Sequence, residues 1–364
     1  MRPNTRLTVR LGPWLAARAR RSVTTTSSAA SNRDSQTFRL PDGRLLGFAE
    51  YGCPDGKPLL YFHGYPSSRF EAKPVDDLAR KMGVRFISLE RPGFGLSSPQ
   101  PHRRLLDWPV DVERFAKDKG LDRFAVMGLS GGGPYALACA YALPRGMLTA
   151  VGLFASGPQW KAGAHRMTLT RRLTKHMANS WPATLRVTVD AMIRTMRWIA
   201  ARDVARRRLD RWFARLLAKG QEKPGTDEAK AKLLRSAREE RERMVKIVLE
   251  EPFAQGADAA VEEARLLSDL DWGFALEDVD FDPIRIWHGS VDVNAPIEMM
   301  RWMQRKLPHG ILTEFDGDSH YAMGKHIERA LTELMEDDAR SGRSDATDLD
   351  PRADQAHGRR QNGA

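Results

Sequence analysis

Cysteine is nearly absent from this chain. Cys53 and Cys139 are the only two in 364 residues, with no Cys-x-x-Cys and no paired Cys/His spacing, so neither a disulfide framework nor a structural zinc site is implied and a reducing compartment is expected. Both lie in apolar or turn contexts, where a packed thiol is expected rather than a nucleophile. The Gly-Lys-Ser/Thr ending of a phosphate loop and the Gly-x-Gly-x-x-Gly spacing of a dinucleotide site are also missing, as is any internal repeat. No cofactor or metal is implied.

Acidic residues are absent from residues 1–33, which hold seven arginines and no lysine and so carry most of the net charge of +11. Rich in Arg, Ser and Thr, with Leu7, Leu11, Trp14 and Leu15 at helical spacing, this stretch has the composition of a mitochondrial transit peptide, interrupted by Gly12-Pro13. A disordered basic arm is the other reading. The bulk of the chain, 41% hydrophobic and 29% charged, has a globular composition. Residues 124–144 carry no charge and match a membrane span in length, but their middle reads Ser130-Gly131-Gly132-Gly133-Pro134. A buried strand, tight turn and buried helix suit that pattern better than a spanning helix.

Short apolar runs bounded by turn residues predict strands at 37–40, 45–51, 58–62, 84–89, 123–128, 149–155, 283–287 and 311–315. Helical stretches lie between most of the later ones, which describes an α/β fold with a mostly parallel eight-stranded sheet covered on both faces. Between 158 and 278 the strand rhythm gives way to helical periodicity. Leu185, Val189, Met192, Ile193, Met196 and Ile199 mark one apolar stripe, and Leu209, Trp212, Phe213, Leu216 and Leu217 another. Residues 161–220 hold fifteen Lys/Arg against three Asp, including Arg206, Arg207 and Arg208. After 337 the apolar content falls away and a disordered tail is expected. The resulting organisation is a leader at 1–33, core segments at 34–157 and 279–336 around a helical insert at 158–278, and a tail at 337–364.

The chemistry concentrates at Gly128-Leu129-Ser130-Gly131-Gly132, directly after an apolar strand and before a helix-forming run. A serine on such a turn is exposed at the top of the sheet, with small neighbours allowing close chain approach. A hydroxyl is a poor nucleophile at neutral pH and needs a base, which in turn needs an orienting group. His320 follows the last predicted strand on a short loop, whereas His63 lies after the third strand and His165 and His176 lie in the basic insert. Asp292, just past the strand at 283–287, is favoured as the acid over Asp316 and Asp318, which are expected to shape the His320 turn. The N–H groups of Gly131 and Tyr65 are the candidate oxyanion donors.

His63-Gly64-Tyr65-Pro66, Arg91-Pro92-Gly93-Phe94-Gly95-Leu96-Ser97, the Ser130 turn, Asp271-Trp272-Gly273-Phe274, the Asp292 segment and Ser319-His320 together resemble the α/β-hydrolase fold-1 family over roughly residues 38–336. The resemblance implies that the insert is a helical cap roofing the substrate pocket. It also sets aside epoxide hydrolases and haloalkane dehalogenases, which carry Asp where Ser130 stands. The leading expectation is hydrolysis of a carboxylic ester or thioester through an acyl-enzyme on Ser130. The alternatives are carbon–carbon bond hydrolysis with the same residues, or a non-catalytic ligand receptor on the same scaffold. The expected partner is a small-molecule or lipid-like substrate. The basic insert suggests attraction to an anionic substrate or membrane surface, against the plainer reading of a solvated face. No nucleic-acid module accompanies the charge.

Overall fold

The computed structural model describes residues 33–218 and 226–347. Residues 1–32 of the 1–33 leader and 348–364 of the tail lie outside the described residues. The eight strands are β1 Gln36–Arg39, β2 Leu45–Gly52, β3 Lys57–Phe62, β4 Val84–Leu89, β5 Phe124–Leu129, β6 Leu148–Phe154, β7 Ile284–Gly289 and β8 Gly310–Phe315. They form one sheet in the order β1-β2-β4-β3-β5-β6-β7-β8, in which β2 runs antiparallel to both neighbours and all pairs from β4 to β8 are parallel. Every strand lies within two residues of its sequence expectation at either end.

Alternation along the strands divides the core into two layers. Leu60 and Phe62 face one side with Phe48, Ile87 and Val126, covered by α2 (Asp107–Asp118), α3 (Gly133–Ala142) and α9 (Ile297–Lys306). Leu59 and Tyr61 face the other with Phe86, Met127 and Trp287, covered by α1 (Asp76–Lys81) and α10 (Ile327–Thr347). The uncharged stretch at 124–144 is β5, a turn and α3, buried almost throughout. No described helix is long and apolar enough to cross a membrane.

Between β6 and β7 the chain forms α4 (Leu169–Ser180), α5 (Pro182–Ala200), α6 (Asp203–Leu217), α7 (Asp227–Val245) and α8 (Asp258–Leu267). These helices make small cores of their own, Ala178 and Leu185 with Val261 and Ala264, and Ile193 with Phe253 and Ala257. The insert ends earlier than 278, because Trp272, Phe274, Leu276 and Val279 pack into the layer over α2 and α3. Only part of each expected stripe is buried. Leu185, Ile193 and Phe213 are, whereas Met192, Met196, Ile199 and Trp212 are exposed.

The tail departs from expectation at its start. Helix α10 runs through 337 to Thr347 instead of ending in disorder. Its acids do not simply solvate the chain. Asp337 accepts from Arg285 at 2.5 Å and Asp338 from Lys57 at 2.6 Å, which ties the helix to β7 and β3.

Candidate active site

β5 ends at Leu129 and α3 begins at Gly133, with Ser130 between them at φ +48°. That left-handed backbone is costly for a residue bearing a Cβ, and it turns the chain sharply enough to present Oγ above the strand ends. Glycine is required on either side for a spatial reason. A Cβ on Gly128 would collide with the Gly132 carbonyl, and one on Gly132 with the Phe62 carbonyl.

His320 follows β8, and its Nε2 lies 3.0 Å from Ser130 Oγ. Its Nδ1 lies 2.6 Å from Asp292 Oδ2. The other carboxylate oxygen, Oδ1, accepts from the N–H groups of Asn294 at 2.7 Å and Ala295 at 2.9 Å. The loops bearing the acid and the histidine are stitched together, since Ser290 N–H donates to the Phe315 carbonyl at 2.9 Å and Val291 N–H to that of Asp318 at 3.1 Å. His288 Nε2 stands 3.2 Å from Asp292 Oδ2 and 2.7 Å from the Ala295 carbonyl. Burial alone would raise the Asp292 carboxyl, but hydrogen bonding with His288 and His320 overcomes it and holds the group well below the usual carboxylate range.

Asp316 and Asp318 are engaged elsewhere. Asp316 accepts from Ser290 Oγ at 3.1 Å, and Asp318 pairs with Lys325 and His326, both at 2.6 Å. His165 and His176 are exposed on the insert. His63 is fully buried, and burial together with the Arg91 charge pushes it well below its ordinary value. Its Nδ1 meets the Gly64 carbonyl at 2.8 Å and its Nε2 accepts from Arg91 N–H at 3.3 Å, so the ring is a neutral structural link. Cys139 is buried in α3, where burial pushes its thiol up.

The two N–H groups expected to face an oxyanion are neighbours. A Cβ on Gly131 would lie 3.2 Å from Tyr65 N, and neither N–H meets an acceptor among the described residues. Arg91 anchors this loop. It donates to the His63 carbonyl at 2.5 Å and the Gly64 carbonyl at 3.0 Å, and its Nε donates to Glu263 on α8 at 2.5 Å. Because the Gly64–Tyr65 peptide is planar and trans, fixing its C=O on Arg91 directs its N–H the opposite way. Glu263 also accepts from Arg103 at 2.6 Å and Tyr135 OH at 2.7 Å, and Tyr65 OH donates to the Ala260 carbonyl at 2.7 Å. The underside of the insert is thus bonded to the loop over Ser130.

The cavity over Ser130 measures about 30 Å³ and is lined by Tyr65, Gly131, Trp160, Arg171 and His320, among others. That is room for one or two waters, so any larger substrate requires the insert to shift. A groove of about 660 Å³ among α5, α6 and α7 is lined by Arg206, Arg207, Asp210 and Arg241, but by neither Ser130 nor His320. Chemistry rather than size therefore selects the small cavity. Arg206 and Arg207 are not part of it. Sequence spacing gives no role to His288, Glu263 or Arg171. Glu263 alone carried a signal, as a carboxylate on the buried side of α8 among Ala259, Ala260, Val261, Ala264 and Leu266.

A family model described as the alpha/beta hydrolase family matches residues 59–332. The proline iminopeptidase of Xanthomonas citri is 33% identical over 111 residues, 29% of this chain and 34% of that protein. The pimeloyl-[acyl-carrier protein] methyl ester esterase of Aromatoleum aromaticum is 36% identical over 72 residues, 20% of this chain and 28% of that protein. The chain spans about a third of the length of these curated relatives. Among solved structures, an esterase from Exiguobacterium antarcticum superposes with a TM-score of 0.53 at 16% identity, covering 83% of this chain and 99% of that one. A hydrolase from Pseudomonas aeruginosa PA01 does so with a TM-score of 0.56 at 15% identity, covering 84% and 99%. At such identities the superpositions speak for the fold, and the family model, matched across most of the described core, settles membership: the chain belongs to the alpha/beta hydrolase family and is a hydrolase of that fold.

Proposed function

We propose that this hydrolase cleaves a carboxylic ester or thioester through an acyl-enzyme on Ser130. The observation that carries the reading is the continuous chain from Ser130 Oγ to His320 Nε2 at 3.0 Å and from His320 Nδ1 to Asp292 at 2.6 Å. Ser130 Oγ attacks the carbonyl carbon while His320 Nε2 takes its proton, and the negative charge forming on the carbonyl oxygen meets the N–H groups of Tyr65 and Gly131. His320 then returns the proton to the leaving oxygen or sulfur as that bond breaks. Water, deprotonated by the same nitrogen, attacks the acyl-enzyme and restores the serine. Asp292 keeps the Nδ1 proton in place and stabilises the imidazolium formed in each half-reaction. The name of one curated relative, a methyl ester esterase, favours ester cleavage.

The reading is tested by fluorophosphonate labelling and by turnover of 4-nitrophenyl esters with the wild-type chain and Ser130→Ala. The wild type should label on Ser130. The variant should lose labelling and fall by about 10³–10⁶ in kcat while keeping its melting temperature. Turnover within tenfold of wild type would refute the assignment.

A further inference from the structure

Arg171 lines the same cavity as Ser130 and His320, yet it differs from the buried arginines elsewhere in the fold. Arg69 pairs with Glu90, Arg91 and Arg103 with Glu263, and Arg241 with Asp210. The half-buried Arg171 guanidinium has no hydrogen-bond or ion-pair partner among the described residues; outside the helix's own ladder, its backbone N–H donates to Thr168 Oγ1. Burial draws its affinity for the proton down from the ordinary arginine value, and the carboxylate whose charge acts on it, Asp292, is already committed to His320, His288 and two backbone N–H groups.

Its position adds a second cost. Arg171 stands in the first turn of α4, which contains no acid, so its charge opposes the helix dipole. A cation set against a dipole and partly withdrawn from water without a protein partner is a cost in the free protein. A ligand that brings two oxygens to the fork offsets both terms.

We propose that Arg171 is the anion-recognising residue of this site and that the preferred substrate is a dicarboxylic acid monoester, its free carboxylate on Arg171 and its ester carbonyl at Ser130. This rests on the serine-hydrolase reading above and names the substrate class for it. Arg171 binds and orients; it does not take part in bond making. A phosphate shares the chemistry, but the planar guanidinium fork matches the flat, two-oxygen carboxylate, and the test separates the two.

The test compares kcat/KM for mono-4-nitrophenyl adipate with that for 4-nitrophenyl hexanoate, of equal carbon count, after subtracting spontaneous hydrolysis. Wild type should favour the adipate. Arg171→Gln should lower the adipate-to-hexanoate ratio by about 10- to 100-fold, the range for a hydrogen bond to a charged group, and Arg171→Lys should fall between the two. Independently of any variant, glutarate should slow fluorophosphonate labelling of the wild-type chain, and glutaramide and inorganic phosphate should not. A ratio unmoved in Arg171→Gln, or in Arg171→Lys should the glutamine variant not fold, overturns the proposal. So does protection by phosphate without glutarate, or a wild type that labels and cleaves the hexanoate without preferring the adipate; both leave the serine-hydrolase reading standing. A wild type that neither labels nor cleaves either ester sinks that reading and this proposal with it.

Discussion

Replacing Arg91 with methionine separates the forces that hold the insert down from those that aim an oxyanion donor. The guanidinium is fully buried, with the Tyr135 ring 4.8 Å away, and methionine fills most of its volume with an adaptable thioether. Three bonds are lost: to Glu263, to the His63 carbonyl and to the Gly64 carbonyl. Arg103 and Tyr135 still donate to Glu263 Oε2, but the buried Oε1 loses its donor. The cost should therefore sit within the roughly 3–5 kcal/mol seen when a buried pair is broken. Without Arg91 the Gly64 carbonyl keeps His63 Nδ1 at 2.8 Å as its remaining partner, so the Gly64–Tyr65 peptide is held less firmly and its N–H points less steadily at the developing oxyanion. Outright removal of such a donor costs about 10²–10³ in kcat, which sets the ceiling; a donor that wanders should cost about 10- to 100-fold, with KM changed far less. Glu263→Gln is the control, since it weakens the same network while leaving both carbonyl bonds of Arg91 intact. Urea unfolding gives the stability, and 4-nitrophenyl ester hydrolysis at a temperature where all three proteins are folded gives the rates. If Arg91→Met loses about 3 kcal/mol but keeps kcat within twofold of Glu263→Gln, Arg91 serves the fold alone and the orientation argument is wrong.

Asp292→Asn should lower kcat by about 10⁴ by presenting the wrong hydrogen-bonding pattern to His320 Nδ1, whereas Asp318→Asn, whose carboxylate faces Lys325 and His326, should stay within about threefold in steady-state turnover; the opposite order would move the acid to the β8 loop. Burial and Arg91 hold His63 well below its ordinary value of 6.5, so below that pH the unfolded chain binds a proton that the folded chain refuses and stability is lost as pH falls. Between pH 7.5 and 5.5 this loss should be about 1.4 kcal/mol, and urea titrations of His63→Asn should show a drop smaller by that amount; equal drops would mean that His63 charges in the fold. Replacing Arg206, Arg207 and Arg208 with Gln should leave kcat/KM for neutral short-chain esters within about twofold, since Arg206 and Arg207 line a groove apart from Ser130. Any loss on anionic esters should shrink as salt rises from about 20 to 500 mM, and a salt-independent loss on both ester types would instead reveal a packing role in the insert.

Local geometry was readable from the sequence wherever a single short stretch decides it. The strands announce themselves by apolar runs between turn residues, and the Ser130 turn by glycines that the Phe62 and Gly132 carbonyls leave no room to replace. Chain order then led to Asp292 and His320, because loops following parallel strands open on one edge of the sheet. What resisted reading is decided by pairing across the chain. Asp337 and Asp338 look like tail residues until Arg285, 52 residues away, and Lys57, 281 away, are placed beside them. Glu263 meets Arg91 at a separation of 172 residues, so the bond that fastens the insert to the Tyr65 loop has no local signature beyond one acid on an otherwise apolar face. The insert shows the same limit from the other side. Fifteen basic residues between 161 and 220 look interchangeable in sequence. In space Arg241, further along the insert, is paired with Asp210, Arg206 lies on a separate groove, and Arg171 alone of these three lines the cavity over Ser130. Net charge is thus a poor guide to what the insert recognises, because the deciding quantity is which guanidinium is left without a protein partner beside Ser130, and that depends on where the fold sets the first turn of α4 relative to the loops after β5 and β7.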